Sequence, residues 1–275
     1  MTVLQARSWL PRTEGSARLE FICRDGRTHL DVLHQKGAAR VRFPNPAEGG
    51  SLEAVLLNTA GGLTGGDRID VDVRLGSGAE AMLTTAAAEK IYRARDGKTA
   101  IAIALRLGVG ANLIWLPQAT ILFDGARLER RTEVDLAGQA RFLAVEMLIF
   151  GRQAMGEEVR QGFCCDAWRI RREGALVFAD TFRLSGSIAA ALARPATLAG
   201  ARAAATIIYV AADAASRLEL ARSLLAGAES LAGASAWNGL LVVRAIARDG
   251  RILQGDIAPL LRALGGRPLP RVWHC

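Results

Sequence analysis

An internal repeat constrains this chain more than any other feature. The stretch Ile69-Asp-Val-Asp-Val-Arg-Leu75-Gly-Ser-Gly-Ala79-Glu-Ala-Met-Leu83 recurs as Ile101-Ala-Ile-Ala-Leu-Arg-Leu107-Gly-Val-Gly-Ala111-Asn-Leu-Ile-Trp115. A weaker copy runs Arg131-Thr-Glu-Val-Asp-Leu136-Ala-Gly-Gln-Ala140-Arg-Phe-Leu-Ala144. Each copy is a segment of alternating polarity, a Leu followed four residues later by Ala around a tight turn, and a second apolar segment. Alternation at period 2 is the signature of a half-buried strand. The leucines Leu75, Leu107 and Leu136 are 32 and 29 residues apart, a spacing expected of stacked supersecondary units. The chain is therefore expected to be mainly β, built from stacked β-hairpins or sheet layers.

The flanking segments extend this picture. Residues 18–43 alternate apolar and polar positions, with Asp25-Gly26 placed as a hairpin turn. Residues 44–50, with two prolines and two glycines, read as a loop. Pro117 cannot donate to a ladder and marks a bend or an edge. After residue 200 the period changes. Thr206-Ile-Ile-Tyr-Val reads as a buried strand, followed by a helix capped by Asp213 and carrying Leu218, Ala221, Leu225, Ala228 and Leu231 up to Gly233. Leu240–Ile246 returns to strand, and a second helix is expected from a cap at Asp256, with Pro259 in its first turn, to Gly265-Gly266. The expected organisation is a β-rich body over 1–199, a small α+β part with two helices over 200–266, and an extended tail over 267–275.

Chemistry is sparse. The histidines His29 and His34 should project to opposite faces of a strand and make poor metal partners. The cysteines Cys23, Cys164, Cys165 and Cys275 form no CxxC pair, so reduced cytosolic thiols rather than a disulfide framework are expected. No nucleophile elbow or HExxH pair is present. The glycine cluster Gly61-Gly-Leu-Thr-Gly-Gly66 is followed by Asp67-Arg68 and a strand, where a phosphate loop needs Lys-Ser/Thr and a helix; a close-packed turn is the expectation. The formal net charge of +8 is spread over isolated arginines, without the clustering or aromatic interleaving of a nucleic-acid surface. No apolar run is long enough to span a membrane, and the N-terminus lacks a secretory signal pattern. A cytoplasmic, non-catalytic protein is expected. Glu146, within the apolar run Phe142–Phe150, either turns to solvent or is buried beside a partner, with Arg152 the nearest in sequence.

Six motifs, in order, resemble the UreD/UreH family of urease accessory proteins: Asn58-Thr-Ala-Gly-Gly-Leu-Thr-Gly-Gly-Asp67, Leu83-Thr-Thr-Ala-Ala-Ala-Glu-Lys-Ile-Tyr-Arg93, Trp115-Leu-Pro-Gln118, Ile121-Leu-Phe-Asp-Gly-Ala126, Glu146-Met-Leu-Ile-Phe-Gly-Arg152 and Leu269-Pro-Arg-Val-Trp273. The resemblance runs from about residue 18 to the end. It departs at Ala86-Ala87 and Gln153, where the family's pattern typically has proline. It implies a protein that binds the urease apoprotein with UreF and the GTPase UreG and assists nickel delivery, with no tightly bound cofactor and only transient nickel. Asp67, Glu89 and Glu146 are the candidates for guiding the cation. Lys90, Tyr92, Arg93, Arg152 and Trp273 are candidates for interface or structure. The competing reading is a β-solenoid-like binding protein for an acidic partner without a metal role. The tail, with prolines at 268 and 270, is expected to be extended and to dock Trp273 on the body or on a partner such as UreF. Truncation after Gly266 is then expected to spare the fold.

Overall fold

The structure of the protein, a computed structural model, describes residues 12–45 and 52–274. The predicted loop at 44–50 falls mostly outside these residues, and Cys275 wholly. The alternating N-terminal segment forms β1 (Glu14–Arg24), β2 (Arg27–Gly37) and β3 (Ala39–Arg42), with Asp25 and Gly26 at φ 51° and 71° in the hairpin turn. Positive φ at both central residues is the geometry that matches the twist of paired strands. Then follow β4 (Leu52–Asn58), β5 (Arg68–Leu75), β6 (Glu80–Thr85), β7 (Glu89–Ile91), β8 (Thr99–Leu107), β9 (Asn112–Leu116), β10 (Thr120–Leu122), β11 (Arg127–Leu136) and β12 (Arg141–Phe150). The chain ends with β13 (Gln161–Arg172), β14 (Ala175–Ser187), α1 (Ile188–Ala193), β15 (Ala203–Val210), α2 (Leu218–Leu225), β16 (Leu231–Trp237), β17 (Leu240–Ala247) and α3 (Gly250–Gly265).

The strands form two sheets. A seven-stranded sheet runs β14-β13-β11-β8-β5-β1-β2, and a ten-stranded sheet runs β16-β17-β15-β12-β9-β6-β4-β3, with β10 joined to β12 and β7 to β10. The repeat spacing is the strand register itself: Leu75 lies opposite Leu107 and Leu107 opposite Leu136 in the first sheet. Glu80 lies opposite Asn112 and Asn112 opposite Arg141 in the second. The two strands of each repeat thus belong to different sheets and pair in parallel with their counterparts in the next copy. Of the two arrangements expected, sheet layers hold and hairpins do not, because the Leu-to-Ala corner carries the chain across the interior instead of back along its own edge. Each corner closes with the same turn, from the Ala79, Ala111 and Ala140 amides to the carbonyls of Gly76, Gly108 and Ala137 at 3.0–3.1 Å.

Three layers result, with a core on each side of the ten-stranded sheet. Between the sheets, Phe142, Ala144, Leu148 and Phe150 of β12 meet Leu105, Leu128 and Ile170. On the other face, Leu143, Val145 and Met147 pack under Leu253, Ile257, Leu260, Leu261 and Leu264 of α3. β12 is buried on both faces, which is why its sequence reads as an almost unbroken apolar run. The strands after residue 200 extend the ten-stranded sheet, with β15 antiparallel to β12.

Both predicted helices need correction. α2 stops at Leu225, and Leu231 begins β16, where it pairs with Ile246. The i+10 and i+13 apolar positions are therefore not helical, because β17 offers backbone pairing that outweighs local propensity. α3 begins at Gly250, capped by Asp249, whose carboxylate accepts from the Ile252 amide at 2.9 Å. Asp256 lies inside that helix and accepts from the Ser230 amide at 2.8 Å, and Pro259 sits mid-helix on the solvent side. Gly250 and Gly255 hide this first half from a propensity reading, while burial of Leu253 and Ile257 pays for it. α1 had no sequence signal among the features above.

Of the two docking places expected for Trp273 the body holds, while the extended form of the tail is corrected. Residues 271–274 form a turn of 3-10 helix, and Trp273 is 5% exposed within the helix-side core. Its indole Nε1 donates to the Leu116 carbonyl at 3.1 Å, and its own carbonyl accepts from Gln254 at 3.1 Å. Gln118 donates to the Val272 carbonyl at 3.1 Å. The tail docks on the body and is internal structure.

Candidate functional site

Inward positions of β11 alternate Leu128, Arg130, Thr132, Val134, and those of β13 alternate Cys164, Asp166, Trp168, Ile170. An arginine and an aspartate therefore enter the inter-sheet core side by side, being register partners in parallel strands. Arg130 donates from Nε and Nη2 to the two oxygens of Asp166 at 2.9 and 2.8 Å, and from Nη1 to Thr120 Oγ1 at 2.9 Å. Across the core, Glu146 of β12 brings Oε1 to 2.6 Å from Arg130 Nη2. Glu146 is buried, and its partner is Arg130 rather than Arg152, which pairs with Glu157 at 2.9 Å instead.

One guanidinium faces two carboxylates here, and Asp166 holds the well-aligned bidentate bond. The contact to Glu146 is close but misaligned, so Oε1 has no hydrogen-bond partner in good geometry. Burial accordingly raises the Glu146 carboxyl to about 8; Arg130 opposes that rise, and the charge on Asp166 adds to it. For Arg130, burial works against its charge, but Asp166 and Glu146 outweigh it and hold the guanidinium firmly protonated. Burial also pushes up the Cys164 thiol, so this cysteine is inert rather than nucleophilic.

The polar cluster continues toward both flanks. On one side Thr120 is the register partner of Glu89 in β7. Glu89 accepts from Asn58 Nδ2 at 3.1 Å; burial raises its carboxyl, against the pull of Asn58, the Lys90 amide and Arg130. On the other side Glu146 lies opposite Thr206 of β15, and Thr206 opposite Arg244 of β17. Directly opposed residues in adjacent strands share a face. Arg244 then donates to Asp180 of β14 at 2.8 Å near the surface. Half-buried groups thus flank a fully buried charge cluster inside an otherwise apolar sandwich.

The other predicted residues fall elsewhere. Asp67 is buried but does not reach the cluster: its oxygens accept from the Thr13 and Thr64 amides, each at 2.8 Å, and fasten the glycine loop. That loop closes over Tyr92. Gly62 has φ 152°, and a Cβ there would stand 2.5 Å from the Tyr92 ring. The tyrosine hydroxyl donates to the Gly61 carbonyl at 3.1 Å, and its ring meets Phe123 edge-on at 4.9 Å. Arg152 stacks over Phe123 at 4.7 Å and Arg93 pairs with Asp124. Tyr92, Arg93 and Arg152 therefore form one exposed cluster, with Lys90 exposed on the adjoining strand and its carbonyl accepting from the Leu63 amide at 2.7 Å. Trp273 is remote from it, in the other core. His29 and His34 are both exposed on β2.

Arg130 and Asp166 escaped the sequence reading. The signal that would have found them is a charged residue at an inward position of each of two alternating strands. Among the described residues no three His, Cys, Asp or Glu side chains converge as a metal cage, and no helix is long and apolar enough to cross a membrane. What the cluster can do chemically is hold negative charge and a transferable proton in a low-dielectric interior.

Comparison with known proteins adds a consistent set of likenesses. A family model described as "UreD urease accessory protein" matches residues 13–274. The Urease accessory protein UreD of Methylobacterium sp. (strain 4-46) is 50% identical over 275 residues, covering 97% of each chain. That of Xanthobacter autotrophicus is 50% identical over 268 residues, covering 97% of this chain and 92% of the relative. That of Rhizobium johnstonii is 47% identical over 275 residues, covering all of both.

Proposed function

This chain belongs to the UreD family of urease accessory proteins, and from that premise we propose that it binds the urease apoprotein together with UreF and the GTPase UreG and assists the transfer of nickel to the urease active site. Its general role, in urease maturation, follows from the family. In this reading it acts in the cytoplasm, catalyses nothing itself, and holds nickel only in passing.

The observation that carries the proposal is the buried charge cluster of Arg130, Glu146 and Asp166 with Glu89 beside it. Burying such groups rarely stabilises a fold, since desolvation costs several kcal/mol per ion and well-packed apolar residues do as well or better. Asp166 balances Arg130, so ionisation of Glu146 places uncompensated negative charge in the interior, with Glu89 nearby. Carboxylate oxygens are weak, exchanging ligands for a divalent cation, which suits a protein that must release its cargo. Glu146 is the group best placed to respond: it shares its cation with Asp166, keeps a proton near neutral pH, and would release that proton to water as a cation takes its place on the carboxylate. Glu89 stands at one flank of the path. Asp67, occupied by two backbone amides, organises the adjoining loop. The exposed group Lys90, Tyr92, Arg93 and Arg152 supplies a surface for partners.

The test is urease activation in cells or with purified components, using Glu146→Gln. This change keeps shape and removes the titratable charge. Activation should fall while the complex with urease, UreF and UreG still assembles. Full activation by the variant would sink the charge-guiding role, and failure to co-purify with urease subunits would sink the assembly role.

A further inference from the structure

Four strands end the main paths of the two sheets, and three carry charges. β2 has Arg27, Asp31 and Lys36, β14 has Asp180 and Arg183, and the short β3 has Arg40 and Arg42. Charges on an edge discourage pairing with another chain. β16 is the exception, reading Leu231-Ala-Gly-Ala-Ser-Ala-Trp237 without a charge or a proline. It is bonded to β17 on one side only, and among the described residues its backbone makes no further hydrogen bond on the other. Leu231 and Trp237 are 71% and 41% exposed. The alternate residues Ala232, Ala234 and Ala236 pack toward the helix-side core, so Leu231, Gly233, Ser235 and Trp237 share the open face.

The order of side chains along β16 has a symmetry of its own. About Ala234, the sequence reads small-small-large in both directions: Gly233 matches Ser235, Ala232 matches Ala236, and Leu231 matches Trp237. Two copies of this strand laid antiparallel about a two-fold axis at Ala234 set each Leu231 opposite the Trp237 of the other copy. A closed two-fold contact uses the same patch twice and needs this self-complementarity. We propose that β16 pairs with β16 of a second copy of this chain, joining the two ten-stranded sheets edge to edge and covering both exposed apolar ends. Small residues at the centre let the backbones approach, and the large ends close over them as cross-strand pairs.

The experiment measures the oligomeric state of the full chain, in the absence of other urease proteins, by sedimentation velocity over a range reaching about 100 μM. A concentration-dependent dimer is expected. Gly233 has open space where a Cβ would stand, so it accepts a side chain. The double variant Gly233→Lys/Ser235→Lys sets like charges opposite each other at both symmetry-related positions and should weaken the dimer at least about tenfold. Gly233→Lys/Ser235→Glu sets opposite charges at the same positions and should restore it, with both variants melting like the parent. A parent that stays monomeric throughout, a Lys/Lys variant that dimerises as the parent does, or a Lys/Glu variant no tighter than Lys/Lys would each overturn the proposal. Pairing of β16 with a strand of a different protein would leave the isolated chain monomeric.

Discussion

Trp273→Ala should cost this protein a large share of its stability, although the residue is third from the C-terminus. Its side chain is 5% exposed, in the same core as Leu116, Leu261 and Leu264. Truncating a buried tryptophan to alanine removes transfer free energy and leaves a cavity, together about 3–5 kcal/mol. The change also deprives the Leu116 carbonyl of the indole donor at 3.1 Å. That carbonyl keeps the Thr84 hydroxyl as a second donor at 2.6 Å, so losing the indole bond adds only about 0.5–1.5 kcal/mol. These terms overlap, so the total should stay near the upper end of the cavity figure, against a typical whole-protein stability of about 5–15 kcal/mol. At roughly 2–4 °C per kcal/mol for a chain of this size, the melting temperature should fall by roughly 10 °C or more. Trp273→Phe keeps most of the apolar volume and loses the hydrogen bond, so its loss should be much smaller, about 1–2 kcal/mol. Thermal and urea melts of the two variants and of a truncation after Gly266 provide the measurement, and the truncation, which also removes buried Leu269, should be the worst. A drop below about 2 °C for Trp273→Ala would refute the reasoning and return the tail to the surface.

Two further outcomes follow from the buried cluster. Arg130→Met strands Asp166 and Glu146 without their shared cation and should destabilise by about 3–5 kcal/mol, while the triple change Arg130→Met/Glu146→Met/Asp166→Leu should recover most or all of it, as read from urea midpoints. If the triple variant were as unstable as the single one, the charges would be contributing to the fold after all. The raised Glu146 carboxyl also makes stability depend on pH. Its folded value of about 8 lies above its ordinary value of 4.5, so the unfolded chain releases this proton first. The group's contribution is then full below about pH 4.5 and drains away as pH rises to about 8, by a few kcal/mol at most. Glu146→Gln should remove that slope, matching the parent near pH 5 and exceeding it near pH 9. A constant offset between the two melting curves across this range would show that Glu146 does not titrate there.

Local pattern by itself determined much of this protein. The period-2 alternation gave the strands of the body, Asp25-Gly26 gave a hairpin turn, and the 32- and 29-residue spacing foretold the stacking, because in parallel stacking the repeat length and the strand register are the same number. Glu146 was visible as a charge in an apolar run. What the tertiary structure alone decided was which layers meet. The two strands of one repeat part into separate sheets, and no local signal distinguishes that corner from a hairpin. Glu146 finds Arg130, 16 positions before it in the sequence but on the opposite sheet, because partners across a core are chosen by layer packing rather than by nearness along the chain. Asp67, a carboxylate like Glu89 and set in a comparable motif, is occupied by two loop amides. The helix from Gly250 forms against its own glycines, and Trp273 turns inward past two prolines, because burial against the ten-stranded sheet outweighs propensities worth about 1 kcal/mol per residue.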